Sequence, residues 1–199
     1  PSIEARLLDD NLAYIRLFSF GENTAADLRT ELKNLQKSNP VGLILDLRNN
    51  SGGYLTSAVD VVSEFIQPGK VVLYQEYGDG SREIWETKRG GNALDIPLVV
   101  LVNEGSASAS EITAGAIQDY GRGVLIGTTT FGKGLVQNWV PLQENKGAIS
   151  VTTAYWLTPN ERQIHQVGLE PDLLVEITDE EGAIVARVEK TLHIRRAGP

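Results

Sequence analysis

Hydrophobic positions along the chain repeat with two periods, and the period switches several times. Residues 12–20 (LAYIRLFSF) alternate, with Ala13, Ile15 and Leu17 on one side, which predicts a strand with one buried face. Ala25, Leu28, Leu32 and Leu35 then recur at helical spacing; Thr24 is the candidate N-cap, Asp27 gives an acidic first turn, and Asn39-Pro40 ends the run. Residues 41–47 (VGLILDL) are apolar almost throughout, as in a strand covered on both faces. A turn at Gly52-Gly53 leads to a helix faced by Leu55, Ala58, Val59 and Val62 and stopped by Pro68-Gly69. Residues 70–77 and 81–88 predict a hairpin around Gly78-Asp79-Gly80, followed by a flexible loop over 89–96.

The apolar run 98–102 (LVVLV) predicts another buried strand. From it, Asn103-Glu104-Gly105 and the run Ser106-Ala107-Ser108-Ala109-Ser110 lead into a helix faced by Ile112, Ala116 and Ile117, with Gly121 as its stop. Strands follow at 124–126, 135–141 and 148–155, the last two joined by a turn at 143–147. A terminal helix through Ile184, Val185 and Val188 is expected in a tail that runs from acidic to basic. Strands alternating with helices predict an α/β fold.

A serine at a strand-to-helix turn is well placed for chemistry, because the helix N-terminus offers free N–H groups and partial positive charge to a developing oxyanion. Its hydroxyl needs a base. Only His165 and His193 are available as histidines, and His193 stands in the charged tail. Lys133 is the better candidate: Gly132 and Gly134 flank it, and Phe131, Leu135 and Val136 can exclude water. A lysine acting as a base must be neutral, and desolvation favours that form. The bland readings are a capping box for Ser108 with Glu111, a plain turn for the glycine pair and a solvated Lys133. A sharper rival is Gly127-Thr128-Thr129-Thr130-Phe131-Gly132-Lys133, which matches most of a phosphate-binding loop. Position 134 is glycine, not Ser or Thr, and the residues beyond alternate like a strand, so nucleotide binding is disfavoured.

SASASEI, then FGKG, then a glutamine four residues after the lysine resembles the carboxyl-terminal processing (tail-specific) proteases, a family of Ser/Lys peptidases. Lys133 follows Ser108 by 25 positions (133 − 108), the family's spacing, so the resemblance implies Ser108 as nucleophile and Lys133 as base. It implies Gln137 as the residue that orients the lysine. The R-N-x-x-G-G signature stands at Arg48-Asn49-Asn50-Ser51-Gly52-Gly53 and implies an oxyanion hole from the N–H groups of Gly53 and Ala109. The likeness runs from about residue 12 to 174 and implies a crotonase/ClpP-like α/β core over 1–199, with the tail from about 180 unassigned. It implies protein or peptide substrates bound through their C-terminal region, no metal or cofactor, and an extracytoplasmic bacterial or plastid-lumen location. The family's PDZ domain is not expected in this chain, which reads as a processed form or an excised piece. The alternative is an inactive protein-interaction scaffold of the same fold.

Composition narrows this further. The chain has 199 residues, with 41% hydrophobic and 22% charged, enough for a real core. Against 18 basic residues stand 26 acidic ones, a net −8 that disfavours a nucleic-acid partner. There is no cysteine, which excludes disulfides, cysteine catalysis and zinc–thiolate sites. No apolar run approaches membrane-spanning length.

Overall fold

The computed structural model describes residues 2–88, 90–142 and 147–175; the helix expected through Ile184, Val185 and Val188, the residues 143–146 of the expected turn, and His193 lie outside them. Strand β1 (Ile3–Leu7) pairs antiparallel with β2 (Leu12–Leu17), whose Ala13, Ile15 and Leu17 form the buried side. Helix α1 (Thr24–Gln36) buries Ala25, Leu28 and Leu32. Its N-cap is Asn23 rather than Thr24, because the Thr24 hydroxyl is engaged inside the turn, accepting the Gly21 N–H and donating to Ser19 O.

Strand β3 (Gly42–Asp46) leads through the glycine pair to α2 (Leu55–Val62). That helix stops before Pro68-Gly69, and the turns after it carry Phe65 and Ile66 into the core. Strands β4 (Val71–Tyr77) and β5 (Arg82–Glu86) form the expected hairpin. Residues 90–96 are irregular but tied down: Glu64 accepts from the backbone and side chain of Asn92, and Arg122 donates to Ala93 O and Ile96 O. Then come β6 (Leu98–Val102), α3 (Ala109–Asp119), β7 (Val124–Gly127), β8 (Leu135–Pro141), β9 (Ala148–Leu157) and the short β10 (Leu173–Leu174).

The strands form two sheets, ordered β1-β2-β3-β6-β7-β10 and β5-β4-β9-β8. From β2 to β10 the first sheet is parallel; the second is antiparallel, with β8 at its edge. Helix α2 packs between α1 and α3, and α3 touches both β7 of the first sheet and β4 of the second. One core runs through both sheets, from Ile15, Leu45 and Val100 in the first to Leu73 and Trp156 in the second. This is the α/β architecture of sheets and helices that the sequence predicts. No helix among the described residues is long and apolar enough to cross a membrane.

Candidate active site

Strands β3, β6 and β7 are parallel neighbours, with Asp46 beside Leu101 and Val102 beside Gly127. Their C-terminal ends therefore release three loops side by side, the usual place for chemistry in a parallel sheet. Backbone hydrogen bonds join them: Ala107 N–H to Asn50 O at 3.0 Å and Phe131 N–H to Ser106 O at 3.0 Å.

The three serines of the central run have different fates. Ser106 is fully buried; its hydroxyl donates to Leu47 O at 2.8 Å and accepts the Asn103 N–H at 3.0 Å. Ser110, also buried, donates to Asn50 O at 2.8 Å. Ser108 alone faces the cavity, half-buried at the start of α3. Its backbone has φ 57° and ψ −116°, the conformation of the first central residue of a type II′ turn, which glycine adopts freely and serine does not. The Ser108 side chain faces the Glu111 N–H as in a capping box, yet makes no cap hydrogen bond of ordinary geometry. Glu111 closes the box from its own side, accepting the Ser108 N–H at 2.9 Å.

The glycine pair lies directly against this turn. A methyl group at Gly52 would stand 2.8 Å from Ser108 Cβ and 2.9 Å from Ala109 N, so only glycine fits there. Gly52 donates its N–H to Asn50 Oδ1 at 2.9 Å. The N–H groups of Gly53 and Ala109 donate to nothing among the described residues. Gly53 is fixed by Phe20, which bridges it, receives the Tyr54 N–H and donates to Gly52 O.

Lys133 sits between β7 and β8, and Gln137 follows on β8, just past a bulge between Val136 and Gln137. Ser108, Gly52, Gly53, Lys133 and Gln137 all line one cavity of about 610 Å³, with Leu55, Ile112, Leu135 and Trp156 as its apolar walls. No hydrogen bond joins Lys133 Nζ to Ser108 or Gln137 among the described residues; what unites the three is the shared cavity.

A family model described as peptidase family S41 matches residues 11–175. The chain belongs to peptidase family S41. It is 41% identical over 173 residues to a carboxy-terminal-processing protease of Bartonella bacilliformis, covering 85% of this chain and 40% of that protein. It is 43% identical over 177 residues to a carboxyl-terminal-processing protease of Synechocystis sp., covering 86% and 41%. A chloroplastic C-terminal processing peptidase of Tetradesmus obliquus is 41% identical over 167 residues, covering 83% and 35%. Among solved structures, a photosystem II D1 C-terminal processing protease superposes with a TM-score of 0.78 at 34% identity, over 92% of this chain and 51% of that one. This S41 chain thus spans about two-fifths of the length of these curated relatives.

Other residues of the S41 chain take structural places. The segment after Gly127 runs into β8 rather than a helix, and the Gly132 and Lys133 N–H groups are both donated to Glu111. Those amides are not open to a phosphate, which removes the phosphate-loop reading. His165 stands outside the cavity with its ring edge-on to Tyr155, centroids 5.9 Å apart. Asp119 pairs with Arg162 and accepts the Asn160 N–H, while Asp172 accepts the Leu125 N–H. Arg48 of the R-N-x-x-G-G signature forks onto buried Asp46 at 2.9 and 2.6 Å, with the Tyr14 hydroxyl on the same carboxylate. Burial pushes the Asp46 carboxyl up; the hydrogen bonds from the Arg48 side chain and N–H and from Tyr14 outweigh it, holding Asp46 below its ordinary range. Among the described residues no cluster of His, Asp and Glu could hold a metal ion.

Proposed function

We propose that the chain is the catalytic core of a serine endopeptidase that cleaves proteins near their C-termini. The observation that carries this reading is the convergence of Ser108, Lys133, Gln137 and Gly53 on one cavity, with Ser108 in a strained turn at a helix N-terminus. Ser108 Oγ attacks the scissile carbonyl carbon while neutral Lys133 takes its proton. The carbonyl oxygen becomes an oxyanion held by the N–H groups of Gly53 and Ala109. The C–N bond then breaks, Lys133 returns the proton to the leaving amine, and an ester on Ser108 remains. Water attacks that ester, again losing a proton to Lys133, and releases the new carboxylate and Ser108. Gln137, four residues along, orients the lysine. No metal or cofactor enters these steps. The relatives named for C-terminal processing support protein substrates cleaved near their C-termini. An extracytoplasmic bacterial or plastid-lumen location goes with this reading.

The test is hydrolysis of a protein with an extended C-terminus by the wild type, Ser108→Ala and Lys133→Arg. Both variants are expected to lose turnover while remaining folded, since arginine keeps the charge but does not release its proton in the working range. A fluorophosphonate should add to Ser108, read by mass spectrometry. Turnover retained by Ser108→Ala, or an adduct on Ser106 or Ser110, would overturn the reading. Folded wild type that neither turns over nor labels would favour the scaffold instead.

A further inference from the structure

Glu111 has no part in the chemistry above, yet it is fully buried in the first turn of α3. Its carboxylate is occupied on all sides. Oε1 accepts the Thr130 hydroxyl at 2.6 Å and the Gly132 N–H at 2.7 Å. Oε2 accepts the Ser108 N–H at 2.9 Å and the Lys133 N–H at 2.8 Å. Four donors fill the four lone-pair sites of an ionised carboxylate, and three of them are backbone amides of the nucleophile's turn and the lysine's loop. A helix cap needs only the bond from the Ser108 N–H; the other three donors lie some twenty residues along the chain.

Two of the bonds share one oxygen. The Ser108 and Lys133 nitrogens therefore cannot lie farther apart than those two bond lengths laid end to end. A lysine stem has four rotatable carbons, so the reach of Nζ is set by where its backbone is fixed. Thr130 extends the same tie: its oxygen also accepts the Leu169 N–H at 2.7 Å, fastening the lysine loop to the segment behind it.

We infer that Glu111 is a positioning residue for the proposed hydrolysis, a single buried carboxylate that sets the backbone of Ser108 against the backbone of Lys133. The inference rests on the Ser/Lys reading. Glutamine in its place keeps the volume but offers one acceptor oxygen instead of two, leaving donors unpaired on one side.

The experiment compares wild type, Glu111→Gln, Thr130→Val and Thr130→Ser, with Ser108→Ala as control. Competent serines are counted by long exposure to a fluorophosphonate, and kcat and KM are expressed per labelled serine, beside the melting temperature. For Glu111→Gln, kcat per labelled serine should fall by about tenfold or more, the scale of loss from a misplaced catalytic group. KM should change by less than about threefold, because substrate contacts remain. Thr130→Val should lose part of the same kcat, and Thr130→Ser, which keeps both hydroxyl bonds, should recover most of it. An unchanged kcat per labelled serine in Glu111→Gln, with only a lower melting temperature, would overturn the inference. If Glu111→Gln does not fold, the threonine pair decides: equal kcat per labelled serine in its two variants overturns the inference. Turnover by Ser108→Ala would bring down the Ser/Lys reading and this inference with it, whereas an inactive control beside a fully active Glu111→Gln removes this inference alone.

Discussion

Ser108 holds φ at 57° with a Cβ attached, and nothing in the S-A-S-A-S run announces it, since no glycine marks the bend. A non-glycine residue in such a conformation costs on the order of 1–3 kcal/mol. The strain points the hydroxyl into the cavity, while Ser106 and Ser110 keep theirs bonded to Leu47 O and Asn50 O. Removing the hydroxyl in two ways separates strain from chemistry. Ser108→Gly and Ser108→Ala should both be inactive, but the glycine variant should unfold at a higher temperature, by about 1 kcal/mol of stability. Equal melting temperatures would mean that the bend stores no strain. At this scale the family spacing singled out Ser108 and Lys133, and the fold brings both to one cavity. Glu111 was legible only as half of a capping box, because its other donors, Thr130, Gly132 and Lys133, come near only once β7 lies beside β6.

The loop after β3 and the start of α3 are separate in the sequence and stapled in the fold. Ser106 bonds to Leu47 O, Ser110 to Asn50 O, and Asn50 receives the Gly52 N–H. Ser106→Ala removes the buried hydroxyl bond to Leu47 O and leaves the half-buried Asn103 N–H without its acceptor, so it should lower stability by about 1 kcal/mol. Turnover should remain measurable, because Ser106 does not reach the cavity; thermal melts run beside peptide hydrolysis would check both. A variant as stable as wild type would show that the staple contributes nothing. Elements with a strong period were readable: the alternation of β2, the apolar run of β6, and the Leu28–Leu32 stripe of α1. β1 and β10 were not, for physical reasons. β1 carries its alternation over five residues centred on an alanine, and β10 is a two-residue strand defined by its partner β7 rather than by any pattern of its own. Helix α2 ended early because Phe65 and Ile66 gain more from turning into the core than from continuing the helix toward Pro68.

Across the whole molecule, the pair between buried Asp46 and half-exposed Arg48 ties acid stability to the loop that carries Gly53. Asp46 is held below its ordinary range in the folded chain, so its contribution is full above the unfolded pKa of about 3.9 and disappears as the pH falls through the lower folded value. Asp46→Asn should therefore reduce stability near neutrality and narrow the gap in melting temperature between pH 7 and about pH 3. An unchanged gap would show that Arg48 and Tyr14 do not supply the linkage. The division of the site between two sheets has a different consequence. Ser108 belongs to the first sheet's loops, whereas Gln137 lies on β8, an edge strand of the second among the described residues. Fraying of that edge would disperse the proposed site residues while the shared core is still intact, since local opening takes less free energy than global unfolding. In rising urea, peptide hydrolysis should accordingly fail before the far-ultraviolet circular dichroism changes. If the two curves coincide, the edge and the core melt as one, and the chain has no folded but silent state.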